Sequence, residues 1–367
     1  MRLSNTLSFY IGWNFFLSFL AVFISLLGLS FLIEIVELLR RTSSLPNVTF
    51  PLILEMGLLS VPHIGRQLFP FAALFGAMAI FWKLSRNQEL VVARSSGISV
   101  WQFLLPALIA AFLIGVFKVT VVSPLAATTL QRYELLETLH LKGRESLFSI
   151  SGSGLWLRQA SEKGQTVIFA RNAVHAENTM ELRDVEIYMY GEKHRFAERI
   201  DARSAILKDG FWALSDALVQ NPEQPNQRQA SFRLDTDLTL GQIQDSLARP
   251  EVMSFWELPG FIQTLEKAGF STIRHKLFLH SLLSSPLLMC AMVLVAAIFT
   301  LRKQARKGGA LTVITGGILS GFILYFFSDI TFTLGLSDSI PVIMAAWAPS
   351  AVAGLLGVAT LFHLEDG

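Results

Sequence analysis

His280 and Ser284 stand one helical turn apart in the apolar run 277–301, the spacing of a base beside a nucleophile. No acid in that run would orient the imidazole, and a serine in a membrane helix ordinarily bonds its own backbone. The chain has no H-E-x-x-H pattern and no clustered metal ligands. It also lacks G-x-x-x-x-G-K-[ST], so no loop of its own would cradle ATP for hydrolysis. The expectation is a protein that is not an enzyme and holds no metal or cofactor.

The residues with chemistry still to do are charges set between greasy stretches. "SRNQELVVARSSGIS" (85–99) interrupts "LFPFAALFGAMAIFW" and "VWQFLLPALIAAFLIGVF". Ser85 with Gln88 three later fits a capping box, and Gly97 fits a helix stop. Ser99 with Gln102 repeats the signature and starts the next helix. The pattern predicts a separate helix over 86–96, about 16 Å long. It offers Arg86, Glu89, Leu90 and Arg94 around its circumference. A rigid docking rod fits this pattern. So does a solvated connector in which Arg86 pairs with Glu89 at i,i+3.

What must position this segment is a membrane bundle. Of the 367 residues, 52% are hydrophobic and 16% charged, with mean hydropathy +0.50; soluble domains run about 25% charged. Net charge is only +2, which gives no reason to expect a nucleic-acid partner. The single cysteine, Cys290, allows no intrachain disulfide. Six stretches are long enough to cross a bilayer, at 8–36, 61–83, 100–122, 277–301, 310–332 and 343–363. The first is too long for a signal-peptide core and reads as a retained span. Lys83, Arg86 and Arg94 after the second run, and Arg302, Lys303, Arg306 and Lys307 after the fourth, belong on the cytoplasmic side. That places both termini in the cytoplasm. Arg40 and Arg41 break the rule by falling on the outer side.

Between the third and fourth runs lies a polar insert, 124–270. "DVEIYMY" alternates with period two, and "ARSAILKDGFWALSDALV" has an Asp209-Gly210 turn between apolar runs. "GLWLRQ", "QTVIFARNAV" and "ASFRLDTDL" are further strands, and "QNPEQPNQRQ" reads as a loop. Six or more short strands predict a sandwich or jellyroll. "SFWELPGFIQTLEKAG" (254–269) reads as an amphipathic helix leading back to the bilayer. The domains are therefore 1–123 (three spans), 124–270 (the β-domain with flanking helices) and 271–367 (three spans).

"ELVVARSSGISVWQ" after "LFPFAALFGAMAIF", with "LLSVPHIGRQLFP" and "SSPLLMCAMVLVAAIF", resembles the LptF/LptG permease family, the membrane halves of the lipopolysaccharide exporter. The resemblance covers essentially the whole chain and is closer to the LptG branch. It implies a membrane α-helical fold of six transmembrane helices with an inserted periplasmic β-jellyroll. It implies that 86–96 is the coupling helix of a cytoplasmic ATPase, with Glu89 the acidic contact and Arg94 and Gly97 in the same pattern. The implied partners are an LptF-like permease, an LptB-type ATPase dimer that binds the ATP and Mg2+, an LptC-like bitopic protein and the lipopolysaccharide itself. The implied location is the bacterial inner membrane.

The same resemblance implies that Arg40 and Arg41 hold lipid phosphates. Arg132 is a candidate addition, and Glu34 stands where the family tends to be basic. It implies that the first and fifth helices form lateral gates, with Phe322, Phe326 and Phe327 facing acyl chains; facing bulk lipid is equally compatible. Gly317 and Ser320-Gly321 suit close helix approach. Arg66, Lys118 and the 274–276 cluster fall at the same level, where a basic collar would suit a lipid with an anionic head, but they read rather as interfacial side chains that snorkel to water. A stand-alone secondary transporter is the competing reading, and charges confined to helix ends argue against it.

Overall fold

A computed structural model describes the chain except for residues 1–4, 44–47, 90–91, 93–94, 96, 143–147, 152–153, 162–163, 177–178, 191–195, 222–223, 237–248, 268–270, 301–304 and 367. The chain divides into two compact units: Met1–Leu141 with Ser254–Trp256 and Lys276–Gly367, and Lys142–Met253 with Glu257–His275.

The helical unit contains six helices long and apolar enough to cross a membrane. They are α1 (Asn5–Thr42), α2 (Phe50–Arg86), α3 (Val100–Phe117) continuing into α4 (Ser123–Glu137), α6 (Ile273–Thr300), α7 (Ala305–Leu336) and α8 (Val342–Asp366). The helix over Leu258–Lys267, α5, lies in the other unit. Several helices overrun the expected spans. α2 begins at Phe50 and passes through Pro62 and Pro70 without ending, because neighbouring helices compensate for the lost backbone bonds in a membrane bundle. The third span does not stop at 122. A π turn over Lys118–Val122 joins α3 to α4, and the Ser123 N–H bonds the Lys118 carbonyl. Proline 124 has no N–H and would crowd the carbonyl four residues back. The wider π turn just upstream lets the helix continue.

The core of this unit draws Phe15 and Phe19 from α1, Leu74 to Leu84 from α2, Phe103 to Ile114 from α3 and Met289 to Ala297 from α6. Two glycines set its spacing. A Cβ on Gly76 would sit 2.8 Å from Phe19 Cα, and one on Gly115 would sit 2.5 Å from Pro286 Cα. At both points backbone meets backbone, as small residues permit between membrane helices. α1 is the least covered span, with 6% of its apolar window buried.

The second unit is one antiparallel sheet, β1 (Phe148–Ser151), β2 (Gly154–Ser161), β3 (Gly164–Ala176), β4 (Thr179–Tyr190), β5 (Phe196–Lys208), β6 (Phe211–Asn221) and β7 (Gln224–Asp235), each strand pairing its neighbours in the chain. The expected hairpin is present, with Gly210 at φ +82° between Lys208 and Phe211. The expected loop at 220–229 is largely strand: β6 runs to Asn221, β7 starts at Gln224, and those two residues pair. Pro225 is tolerated there because β7 is an edge strand with no further ladder to supply.

This single sheet encloses its own core by folding over. Leu182 and Val185, Ala202 and Ala205, and Leu214 and Ala217 are buried three apart, so two consecutive residues face outward in each strand. These phase changes fall on one row, Arg171, Asp184, Arg203, Asp216 and Ala230, where the strand pairing is skipped. Asp184 and Asp216 adopt φ +51° and +54° on that row. Strands that change sheets do so through such bends. Across the seam, Thr236 Oγ1 donates to Gln159 Oε1 at 2.6 Å and Gln159 Nε2 donates to the Asp235 carbonyl at 3.3 Å. The apolar interior, centred on Trp212, Ile187 and Ile200, lies inside this fold. Outside it, Arg228 grips Asp216 through two bonds of 2.7 and 2.6 Å, and those bonds hold the Asp216 carboxyl below the usual carboxylate range.

After the sheet come a 3-10 turn and α5 (Leu258–Lys267). α5 buries Leu258, Ile262 and Leu265 on one face, the amphipathic pattern expected.

Candidate coupling and lipid-binding surfaces

Glu89 is built into a short break between helices. α2 runs through Ser85 to Arg86, so Ser85 is buried inside the helix and caps nothing. The break falls at Asn87 and Gln88, where Gln88 takes φ +60°. A helical bond from the Val92 N–H to the Gln88 carbonyl, 3.1 Å, starts the next turn. Helix 86–96 is therefore shorter at its start than its sequence implies, and Arg86 belongs to α2. Leu90 and Arg94 lie outside the described residues.

The expected Arg86–Glu89 pair does not form. Arg86 instead lies over the Trp82 ring at 5.4 Å. The Glu89 carboxylate accepts from Tyr10 Oη at 3.1 Å and from Asn87 Nδ2 at 3.2 Å. Tyr10 is on α1, so the acid at the head of this segment leans on the first membrane helix. At the far end Gly97 has φ +81° with open space around it. Ser99 then forms the expected capping box: its Oγ accepts from the Gln102 N–H at 3.2 Å while its own N–H donates to Gln102 Oε1 at 3.3 Å.

The other end of α1 carries the basic pair. Neither arginine stands alone. Arg40 Nε and Nη2 donate to the two Glu37 oxygens at 2.8 Å each, and Arg41 Nε donates to Glu37 Oε1 at 2.8 Å. Glu34, Arg41 and Glu137 are the charged neighbours of Tyr133 on α4. Arg132 pairs with Glu55 at 3.0 Å. The surface is a zipped network of acids and bases rather than a bare basic collar. Glu37 was the residue missed, although its i+3 and i+4 spacing to Arg40 and Arg41 announces both pairs.

On α7 the small residues face inward: a side chain on Gly317 or Gly321 would meet Met78 or Leu74 of α2. Phe322 and Phe326 face outward, 57% and 54% exposed, with rings 5.8 Å apart, while Phe327 is half-buried. Ser284 Oγ donates to backbone, at 3.1 Å to Ser281 and 2.9 Å to Ala346 of α8. Its proton is engaged in helix packing rather than turned toward His280.

The family model described as lipopolysaccharide export system permease LptF/LptG matches residues 9–363. A Haemophilus influenzae protein named lipopolysaccharide export system permease protein LptG is 25% identical over 358 residues, covering 94% of this chain and 95% of that one. An Escherichia coli K12 protein of the same name is 27% identical over 357 residues, covering 96% of each. A match over residues 9–363, spanning both the six candidate membrane helices and the β-insert, places the chain in the lipopolysaccharide export system permease LptF/LptG family.

Proposed function

We propose that this chain is an LptG-like permease subunit that extracts lipopolysaccharide from the bacterial inner membrane and passes it to a periplasmic carrier. The observation that carries the reading is the family match across nearly the whole chain, spans and β-insert together. In this reading the termini are cytoplasmic and the sheet is periplasmic. An LptF-like permease faces α1 and α7, an LptC-like protein lies beside them, and an LptB-type ATPase dimer binds ATP and Mg2+. Glu89 and the segment it begins dock on that ATPase, and Gly97 ends the rod. Arg40 and Arg41 receive lipid phosphates, while Phe322 and Phe326 line the acyl path. The apolar interior of the folded sheet offers those chains a route out of water.

The division of labour follows from chemistry. Lifting a lipid with several acyl chains out of a bilayer exposes large apolar area, which is strongly unfavourable. That work calls for an external energy source, supplied here by the ATPase. Glu89→Arg places a cation where the reading requires an acid. It is expected to abolish export, measured as lipopolysaccharide retained in the inner membrane, and to weaken co-purification of the ATPase. Wild-type export by that variant would refute the docking role.

A further inference from the structure

The two cations expected to snorkel at the lipid edge are buried, Lys118 at 7% and Arg66 at 6% exposed. A cluster of charged groups open to a ligand lies elsewhere, on the outer face of the folded sheet. There a groove of about 520 Å3 is lined by four arginines and four carboxylates, Arg171, Asp184 and Arg203 among them. These three follow one another on β3, β4 and β5, in the row where strand pairing is skipped. The two arginines therefore stand two strand spacings apart, about 10 Å. All three residues are exposed, and none makes a hydrogen bond or ion pair among the described residues. Arg203 acts on Asp216 only at longer range.

The other charges of the groove are already engaged. Arg228 holds both Asp216 oxygens. Arg199 donates to Asp201 at 2.8 Å and reaches Glu186 at 3.3 Å. Gln220 Nε2 also donates to Asp201, and Tyr188 Oη to Glu186. What these bonded walls leave for a ligand is a cation, an anion and a cation in a row. One end of the same face is aromatic. Phe169 lines the groove and pairs across the sheet with Trp156 of β2. The two ring centroids are 4.6 Å apart, and Trp156 is 39% exposed.

Each feature selects against a common class of ligand. The four carboxylates repel a bare polyanion, and the arginines repel a basic peptide. So many charges make the groove unfit for hydrocarbon. An acidic saccharide meets every condition. Guanidiniums take carboxylate or phosphate oxygens, Asp184 accepts from ring hydroxyls, and an exposed aromatic ring offers rigid apolar surface to the C–H face of a sugar. The proposed cargo carries such a group. With its acyl chains inside the folded sheet, its saccharide stays in water on the outside.

We propose that this outer groove of the β-unit binds an acidic oligosaccharide, with Arg171 and Arg203 on its acid groups, Asp184 on its hydroxyls and Trp156 with Phe169 beneath a sugar ring. The source of that saccharide rests on the export reading: it is the polar part of the lipopolysaccharide.

The test is isothermal titration calorimetry on the purified full chain with its co-purifying partners. The probes are the oligosaccharide of lipopolysaccharide freed of its lipid, a neutral oligosaccharide of similar length, an oligoglutamate peptide and inorganic phosphate. The first is expected to bind more tightly than the other three. Arg171→Gln and Arg203→Gln, both at exposed positions, should each weaken it about tenfold, the scale of one hydrogen bond to a charged group. Trp156→Ala should weaken it about threefold, the scale of one ring contact. Arg233→Gln removes an exposed arginine of β7 that does not line the groove, and it should bind as the wild type does. The proposal is overturned if the neutral sugar, the peptide or phosphate binds as tightly as the acidic oligosaccharide. It is also overturned if neither groove arginine matters, or if Arg233→Gln loses as much affinity as they do. Binding is read on the purified protein and export in cells, so the two readings fail separately. A wild-type chain that supports export but does not bind the oligosaccharide overturns the groove and leaves the export reading standing. Arginine-dependent binding by a chain whose depletion leaves export unchanged keeps the groove and removes the export reading.

Discussion

Glu37 decides how available the basic pair is. Three donor contacts from Arg40 and Arg41 converge on one carboxylate, each at 2.8 Å. The guanidinium ends remain open: the Arg40 side chain is 75% exposed and that of Arg41 51%. A lipid phosphate arriving there must compete with Glu37 for donors and also approach its negative charge. Exposed ion pairs one turn apart on a helix are weak, so removing both changes an equilibrium only about two- to fivefold. Glu37→Gln keeps the size of the side chain and its ability to accept, and removes the charge. Binding of phosphorylated lipopolysaccharide to the purified complex in nanodiscs is therefore expected to tighten about two- to fivefold. The gain should shrink as salt is raised from about 0.05 to 0.5 M, because screening reaches inside the separation of these groups. Fluorescently labelled lipid titrated at several salt concentrations measures both effects. Weaker binding in Glu37→Gln would mean that the carboxylate positions the arginines rather than competing with the lipid. An unchanged affinity at low salt would remove Arg40 and Arg41 from the phosphate contact altogether.

Other perturbations separate packing from relay. Gly115→Ala drives a methyl into the Pro286 backbone at the α3–α6 contact, so the complex should lose about 1–3 kcal/mol of stability. A fall in the melting temperature checks this, and no change would mean that the two helices part freely. Tyr10→Phe removes the hydroxyl that donates to Glu89 while keeping the ring. It should lower export without lowering the amount of ATPase that co-purifies, whereas loss of both would make the hydrogen bond part of docking itself. Trp212→Ala empties the largest fully buried side chain in the β-unit. A cost of about 3–5 kcal/mol is expected, read as protease sensitivity confined to 142–253.

The six spans were legible because about twenty apolar residues in a row admit few other readings. Their ends were not, because prolines that would end a soluble helix are accommodated in a bundle, at Pro62 and Pro70 directly and at Pro124 through the π turn. Period-two alternation found the strands, and Asp209-Gly210 found the hairpin. The crease was harder to see. Its signal is two polar residues in succession inside each strand, Arg183-Asp184, Arg203-Ser204 and Ser215-Asp216, where strict alternation calls for one. Each pair reads as a weak strand taken alone, and only the register aligns them into a row across the sheet. In the candidate surfaces, Gly97 and the Ser99 box were local and therefore readable. The Tyr10–Glu89 contact joins residues 79 apart in the chain, and no spacing rule reaches that far.

That contact changes how the two surfaces relate. Tyr10 and Arg40 are 30 residues apart on the single helix α1, about 45 Å of continuous backbone at 1.5 Å per residue. One end touches Glu89, and the other carries the guanidinium pair. The apolar stretch between is the least buried of the six spans, yet α1 packs along α2 at Phe19 on Gly76, Phe23 and Leu27 on Gly65, and Phe31 and Ile35 on Gly57. A helix is stiff along its axis because every turn is hydrogen-bonded to the next. If Glu89 docks as proposed, a displacement there is expected to reach Arg40 and Arg41 along α1, through the Tyr10 hydrogen bond. At Gly76 α1 rides directly on the α2 backbone, which holds the two helices at a fixed spacing.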